Sequence, residues 1–358
     1  MTSPEPLWEP DVLPGFWQHT IDGGPDPDGE GDLVATLVRH GAGGAKSSTG
    51  AGGAKSGHGA GGARPGHAVL ALHGYTDYFF HTELAERFAD RGFAFYALDL
   101  PKCGRSRRDG QTPHFTTDLA RYDADLQRAL TVIAADTGNA TVCLYGHSAG
   151  GLILTLFADR MRRSGRLTDH LVGGLILNSP FFDLHGPAVL RMAPTSAALI
   201  ALARWRKLSV IRKPTEGGYG TTLHRDYDGE FDYNLAWKPL GGFPITLGWI
   251  NAVRRAQARL HRGLDVGVPN LILRSDHSVR ETSDPAAMQR GDAVLDVRQI
   301  ARWSGCVGNR STVVPITDAK HDVFLSVPEA RATAYRELDH WLDHYLNTQT
   351  RPSTTSSG

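Results

Sequence analysis

Five residues, Gly146-His147-Ser148-Ala149-Gly150, constrain this chain more than any others. They follow the apolar run Thr141-Val142-Cys143-Leu144-Tyr145 and precede another, Leu152-Ile153-Leu154-Thr155-Leu156-Phe157. The order is buried strand, Gly-x-Ser-x-Gly, helix, and that context gives the pattern its physical meaning. So sharp a turn strains the backbone of its central residue and admits only small flanking residues. In return it lifts Ser148 clear of the sheet, and the following helix points its amide-rich N-terminus at the reacting centre. Ser148 is the candidate nucleophile; the competing reading is a structural glycine turn.

The rest of the chain repeats the same alternation. Strands are expected over 33–38, 68–73, 93–98, 142–145, 171–177, 270–274 and 312–316. Helices are expected over 83–90, 118–135, 148–163 and 328–346. Short apolar runs alternating with helices predict an α/β fold, a mostly parallel sheet covered on both faces. The alternation stops between Asn178 and Pro269. That stretch holds two helix-like parts, 188–208 and 246–262, around a loop carrying Tyr219, Tyr227, Phe231, Tyr233 and Trp237. An insertion there would sit over the carboxyl ends of the strands, where open sheets bind ligands. The expected organisation is a core made of 1–40, 68–183 and 269–347, a cap insertion over 184–268, and a disordered polar tail over 348–358.

Residues 41–67 stand apart as three tandem nine-residue units, each beginning Gly-Ala-Gly-Gly-Ala followed by Lys or Arg. Glycine at this density costs too much entropy to order, and no unit has an apolar face to stack. The expectation is a disordered expansion of a loop that interrupts a strand pair. Lys46, Lys55 and Arg64 are where it would recruit a partner.

Composition excludes several classes. Lys plus Arg and Asp plus Glu balance at 38 each, so no global field draws nucleic acid or anionic lipid. Three cysteines, Cys103, Cys143 and Cys306, are too few and too odd in number for a disulfide framework, and Cys143 reads as a small core residue. The start Met1-Thr2-Ser3-Pro4 has no signal-peptide character, and no apolar segment approaches the roughly 20 residues of a membrane span. The expected location is cytoplasmic.

An activated serine needs a base, and the base an orienting carboxylate. Where the serine sits on such an elbow, the partners follow in the order serine, acid, histidine. Among 16 histidines, His321 falls just past the last strand and before the closing helix. Two acids are open: Asp276, directly after the strand ending at Arg274, and Asp292. Whichever loses reads as a helix cap or loop carboxylate. An oxyanion hole would use the backbone amide of Ala149 and one from the loop after the first central strand, His73-Gly74-Tyr75-Thr76-Asp77, which makes Tyr75 the second donor.

With these residues together, the chain resembles the α/β-hydrolase superfamily, and within it the monoacylglycerol lipase and lysophospholipase group, often labelled serine aminopeptidase-like. The matching residues are His73-Gly74, Asp99 with Gly104 and Ser106, the elbow through Gly151, Asp292-Ala293-Val294-Leu295-Asp296, and His321. The group places its acid roughly thirty residues before the histidine, which favours Asp292 over Asp276. Two departures stand out: the extra segment 275–290, and Lys102-Cys103 where the group commonly has Gly-His. The resemblance implies hydrolysis of a carboxylic ester with a single acyl chain, such as a monoacylglycerol or lysophospholipid. It needs no metal or organic cofactor and no nucleic acid, and the cap offers a face for transient contact with a lipid surface. Asp226, Asp228, Glu230 and Asp232 in the cap would instead suit an aminopeptidase. Acyl transfer, thioester cleavage and a non-catalytic ligand-binding role are the remaining alternatives.

Overall fold

A computed structural model describes residues 6–41, 66–184, 202, 205–281 and 284–349. The repeats from 42 to 65, most of the expected helix over 188–208 and the tail from 350 lie outside these residues.

Among the described residues nine strands form one sheet: β1 (Glu9–Pro10), β2 (Phe16–Pro25), β3 (Asp32–His40), β4 (His67–Leu72), β5 (Phe93–Asp99), β6 (Thr141–His147), β7 (Val172–Asn178), β10 (Asn270–Ser275) and β11 (Ser311–Ile316). A short antiparallel ribbon, β8 (Val210–Arg212) with β9 (Ile245–Thr246), stands outside it. The order across the sheet is β1-β2-β3-β5-β4-β6-β7-β10-β11. All pairs from β5 to β11 are parallel, and β1 to β3 add an antiparallel edge. The repeats therefore do not interrupt a strand pair, because β5 lies between β3 and β4.

The central strands read as unbroken apolar runs because both their faces are buried. In β4, Ala68, Leu70 and Leu72 face one cluster, whereas Val69 and Ala71 face the other. The first cluster is closed by α2 (Tyr122–Thr137), α3 (Ala149–Arg163) and α4 (Leu247–Leu260), through Leu126, Ile133, Leu156 and Val253. The second is closed by α1 (Thr82–Asp90) and the final helix Pro328–Gln349, through Leu84, Phe88 and Leu342. Thus α4, within the expected cap, covers the sheet beside α3. The cap aromatics Tyr219, Phe231, Tyr233 and Trp237 pack with Tyr78, Phe80, Leu223 and Leu325 as a small core of their own.

Strand order reverses at β4, since β5 continues to one side and β6 to the other. Open α/β sheets bind ligands at such a switch point. The loops leaving β4 and β6 there carry Tyr75 and Ser148.

Candidate active site

Ser148 sits between β6 and α3 with φ 52° and ψ −117°, a left-handed conformation that costs a non-glycine residue about 1–3 kcal/mol. Tight packing around the turn holds it there. Its amide donates to the Asn178 carbonyl at 3.0 Å, and its carbonyl accepts from Phe181 N at 3.0 Å. A Cβ at Gly150 would lie 2.4 Å from the His73 carbonyl oxygen, and one at Gly146 2.8 Å from Gly151 N. The flanking glycines are needed because strand, helix and the neighbouring loop cross within backbone contact.

His321 lies in the turn after β11 and is almost fully buried. Its Nδ1 bonds Asp292 Oδ2 at 2.9 Å, and Asp292 has no exposed surface. A carboxylate only accepts, so Nδ1 carries the proton of this bond, and in the neutral ring Nε2 is the acceptor. Asp292 Oδ1 accepts the amides of Val294 and Leu295, each at 2.8 Å, which fixes the carboxylate in place. The ring of His147, next to Ser148, lies 4.9 Å from that of His321. Tyr219 of the cap stands edge-on to His321 at 5.9 Å.

Asp276 lies elsewhere. It bonds His277 Nδ1 at 2.7 Å, accepts the Asp318 amide at 3.3 Å and is partly exposed, with no bond to His321 among the described residues. The extra segment after β10 turns back on itself: Asp292 N donates to the His277 carbonyl at 3.1 Å, and Val279 N to the Asp292 carbonyl at 2.9 Å. The insertion leaves and returns at the same edge, so it lengthens the chain between β10 and Asp292 without carrying Asp292 away from His321.

The loop after β4 reaches the elbow, since a Cβ at Gly74 would lie 3.0 Å from Ser148 Cβ. His73 Nε2 accepts the Leu100 amide at 3.1 Å, which leaves Nδ1 to donate to the Gly74 carbonyl at 2.7 Å. The Tyr75 hydroxyl donates to the Pro244 carbonyl at 2.6 Å, and its ring lies 4.0 Å from that of Trp249. Asp77 holds Lys238 of the cap at 2.6 Å, both buried. Burial pushes the Asp77 carboxyl up, but the Lys238 ammonium and the nearby His147 and His73 outweigh it and leave the group below its ordinary value. Asp99 accepts the Phe79 amide at 2.9 Å and the Arg105 guanidinium at 2.9 Å, bracing the far end of the loop. Ala149 opens α3, so its amide has no acceptor within the helix. At the departure Lys102-Cys103, Lys102 is buried and bonds Asp26 and Glu30, each at 2.7 Å, tying the β2–β3 turn to this region. Cys103 Sγ lies 3.2 Å from His114 Nδ1.

A further buried carboxylate adjoins the site and was not read from the sequence. Asp322 lies 3.3 Å from His81 Nε2 and 3.8 Å from His147 Nδ1, and accepts from Asn178 Nδ2 at 2.7 Å. Burial opposes its ionisation, but His147, His81 and Asn178 hold its carboxyl well below the usual range. Asp322, His81 and His147, with His73 and Asp77, line a cavity of about 30 Å³, room for one or two water molecules. Burial drives His147 down to about 4, so it is neutral at pH 7. An unfolded histidine takes up a proton near pH 6.5, before the folded one does. The stability this group confers is therefore intact above about pH 6.5 and declines as pH falls towards 4, by about 3 kcal/mol in all. Thermal melts from pH 7 to pH 4.5 should show a falling midpoint, and His147→Gln should flatten the fall. Parallel curves for the two proteins would contradict this.

The family model for serine aminopeptidase, S33, matches residues 63–285, which include the elbow and the loop after β4. Among solved structures the chain is similar to the monoacylglycerol lipase of Paleococcus ferrophilus at 19% identity and TM-score 0.56, covering 78% of this chain and 94% of that one. It is also similar to a soluble variant of the monoglyceride lipase of Saccharomyces cerevisiae in complex with a substrate analog, at 16% identity and TM-score 0.53 over 96% of both chains. A lipase in an open form matches at 17% identity and TM-score 0.57, over 92% of this chain and 99% of that one. At these identities the likeness is one of fold. None of the curated proteins matches. The family model spans more than half of the chain, Gly146 to Gly150 included, and the protein belongs to the serine aminopeptidase S33 family of α/β-hydrolases.

Proposed function

We propose that this hydrolase cleaves carboxylic esters carrying a single acyl chain, such as monoacylglycerols or lysophospholipids, through Ser148, His321 and Asp292. The observation that carries the reading is the buried 2.9 Å bond between His321 Nδ1 and Asp292, with His321 packed against the elbow through His147. Ser148 Oγ attacks the carbonyl carbon as His321 Nε2 takes its proton, and Asp292 stabilises the imidazolium that forms. The tetrahedral oxyanion accepts from the amides of Tyr75 and Ala149. His321 then protonates the departing alcohol, and water, deprotonated by His321, releases the acid from the acyl-enzyme.

The aminopeptidase reading finds less support. Asp226, Asp228, Glu230 and Asp232 are all exposed; Asp232 pairs with Arg225 at 3.0 Å and Glu230 with Arg331 at 3.1 Å. Carboxylates facing solvent are poorly placed to hold a substrate amine beside Ser148. The test is a substrate panel of p-nitrophenyl butyrate, a monoacylglycerol, a lysophosphatidylcholine and an aminoacyl p-nitroanilide. Acyl esters should exceed the anilide in kcat/KM by roughly a hundredfold or more. Preference for the anilide would replace this reading with peptidase chemistry.

A further inference from the structure

Both sequence neighbours of His321 are held by one short piece of the cap. The helical turn Gly218–Thr222 carries Tyr219, whose hydroxyl accepts the Asp322 amide at 3.0 Å. Three residues on, the Thr222 carbonyl accepts from Lys320 Nζ at 2.6 Å. Asp322 and Lys320 are both buried, so losing either acceptor would leave a donor cut off from water. The base therefore lies between two clasps that start from the same five residues. Asp292 fixes the tautomer of His321; the clasps fix the backbone that carries its ring.

Lysine is seldom buried without a carboxylate in contact, because its ammonium loses hydration. Lys320 nonetheless has almost no exposed surface, and its Nζ bonds a neutral carbonyl. Burial pushes the ammonium down to about 8. Arg331 of the final helix adds to that push, whereas Glu230 of the cap and Asp322 on its own turn oppose it. A methionine would fill the same space without that cost, so packing alone does not account for the residue.

The cap piece is itself braced from two sides. Leu223, next in sequence, belongs to the cap's small core, and the Tyr233 hydroxyl donates to the Gly220 carbonyl at 3.1 Å. On the other side Gln289 Nε2 donates to the Thr222 carbonyl at 3.3 Å and the Asp228 carbonyl at 2.6 Å. Gln289 lies in the extra segment 275–290, so that departure bears directly on the piece of cap that grips the turn of His321.

We propose that Tyr219 and Lys320 are positioning residues, through which the cap turn Gly218–Thr222, braced by Gln289, holds His321 so that its Nε2 is presented to Ser148. This rests on the reading above in which His321 is the base. The test combines kinetics of the full-length protein on p-nitrophenyl butyrate with its rate of labelling by a fluorophosphonate. Tyr219→Phe keeps the ring and removes only the acceptor. It should lower kcat and the labelling rate together by about tenfold, with KM within about threefold. Lys320→Met keeps the apolar stem and should behave alike. Gln289→Ala, at a half-exposed side chain, should lower both rates by about threefold and leave the melting midpoint in place. A role in stability alone would lower the midpoints of Tyr219→Phe and Lys320→Met and leave both rates, read well below them, at the wild-type values. That result would overturn the proposal.

The unaltered protein offers a reading that does not depend on any variant folding. Below about pH 8 the Lys320 ammonium is charged and its bond to Thr222 is charge-assisted; above it the neutral amine holds the carbonyl more weakly. Wild-type kcat should therefore fall as pH rises through about 8, and Lys320→Met should lack that fall. A level wild-type profile between about pH 7 and 9 would contradict the role given to Lys320. Labelling requires only an activated Ser148, so it reports on the clasps even where esters prove poor substrates. Failure of the ester reading would show as slow turnover with normal labelling; failure of the proposal would show as labelling that Tyr219→Phe and Lys320→Met leave unchanged.

Discussion

Ser148→Ala is expected to lower kcat on p-nitrophenyl butyrate by about 10⁵- to 10⁶-fold, the scale seen when a serine nucleophile is removed from a triad. The fold should survive. Alanine has the same Cβ as serine and bears the same strain at φ 52°, and the turn is held by backbone bonds to Asn178 and Phe181 that the substitution does not touch. The thermal midpoint should therefore stay within a few degrees while turnover disappears. Ser148→Gly should be equally inactive but no less stable, because glycine adopts this backbone freely. Activity within tenfold of wild type in either variant would assign the chemistry to another residue.

The next largest effect is expected at Asp292. Asp292→Asn keeps the side chain's shape, and its carbonyl oxygen can still accept from Val294 and Leu295. Its amide nitrogen then faces His321, a donor meeting a donor, and the imidazole must move its proton to Nε2 to be satisfied. That puts the proton on the nitrogen that should accept from Ser148, and a loss of about 10⁴-fold in kcat follows from the wrong tautomer. Asp276→Asn touches only a half-exposed contact with His277 and the Asp318 amide, so its effect should stay within about threefold. The two variants, measured side by side, separate the acids; a larger loss at Asp276 would reverse the assignment.

The central strands and the elbow were legible because both are written in local sequence. An apolar run buried on two faces looks the same wherever it pairs, and the Gly-x-Ser-x-Gly pattern shows in five consecutive residues. Only Gly146 is demanded by contacts within the turn, however; Gly150 is demanded by the distant His73 and Leu72 carbonyls. Pairing is not local. The approach of β3 and β4 in sequence suggested neighbours, but β5 comes between them. Strand β2 escaped notice because the polar Gln18, His19 and Asp22 and the glycine Gly23 sit half-buried or exposed near the edge of the sheet and leave no apolar run to see. The residues alone left Asp276 and Asp292 open, since a carboxylate after a strand reads alike whether it turns inward or out. Spacing within the resembled family favoured Asp292, and the bond to His321 lies there. The Lys238–Asp77 pair and the Asp322 cluster join segments more than a hundred residues apart, Lys238 to Asp77 and Asp322 to Asn178, and no local pattern announces them. The cap aromatics were visible as a group, but their partners Tyr78, Phe80 and Leu325, which make them a core, were not.

The central claim is that Ser148 is a nucleophile activated by His321. Reaction of the native protein with a labelled fluorophosphonate, followed by peptide mass spectrometry, tests it most directly. One label per chain is predicted, on the peptide containing Gly146 to Gly150 at Ser148, with labelling abolished in Ser148→Ala and slowed by orders of magnitude in His321→Ala. Folded protein that takes no label, or takes it at another residue, would contradict the account.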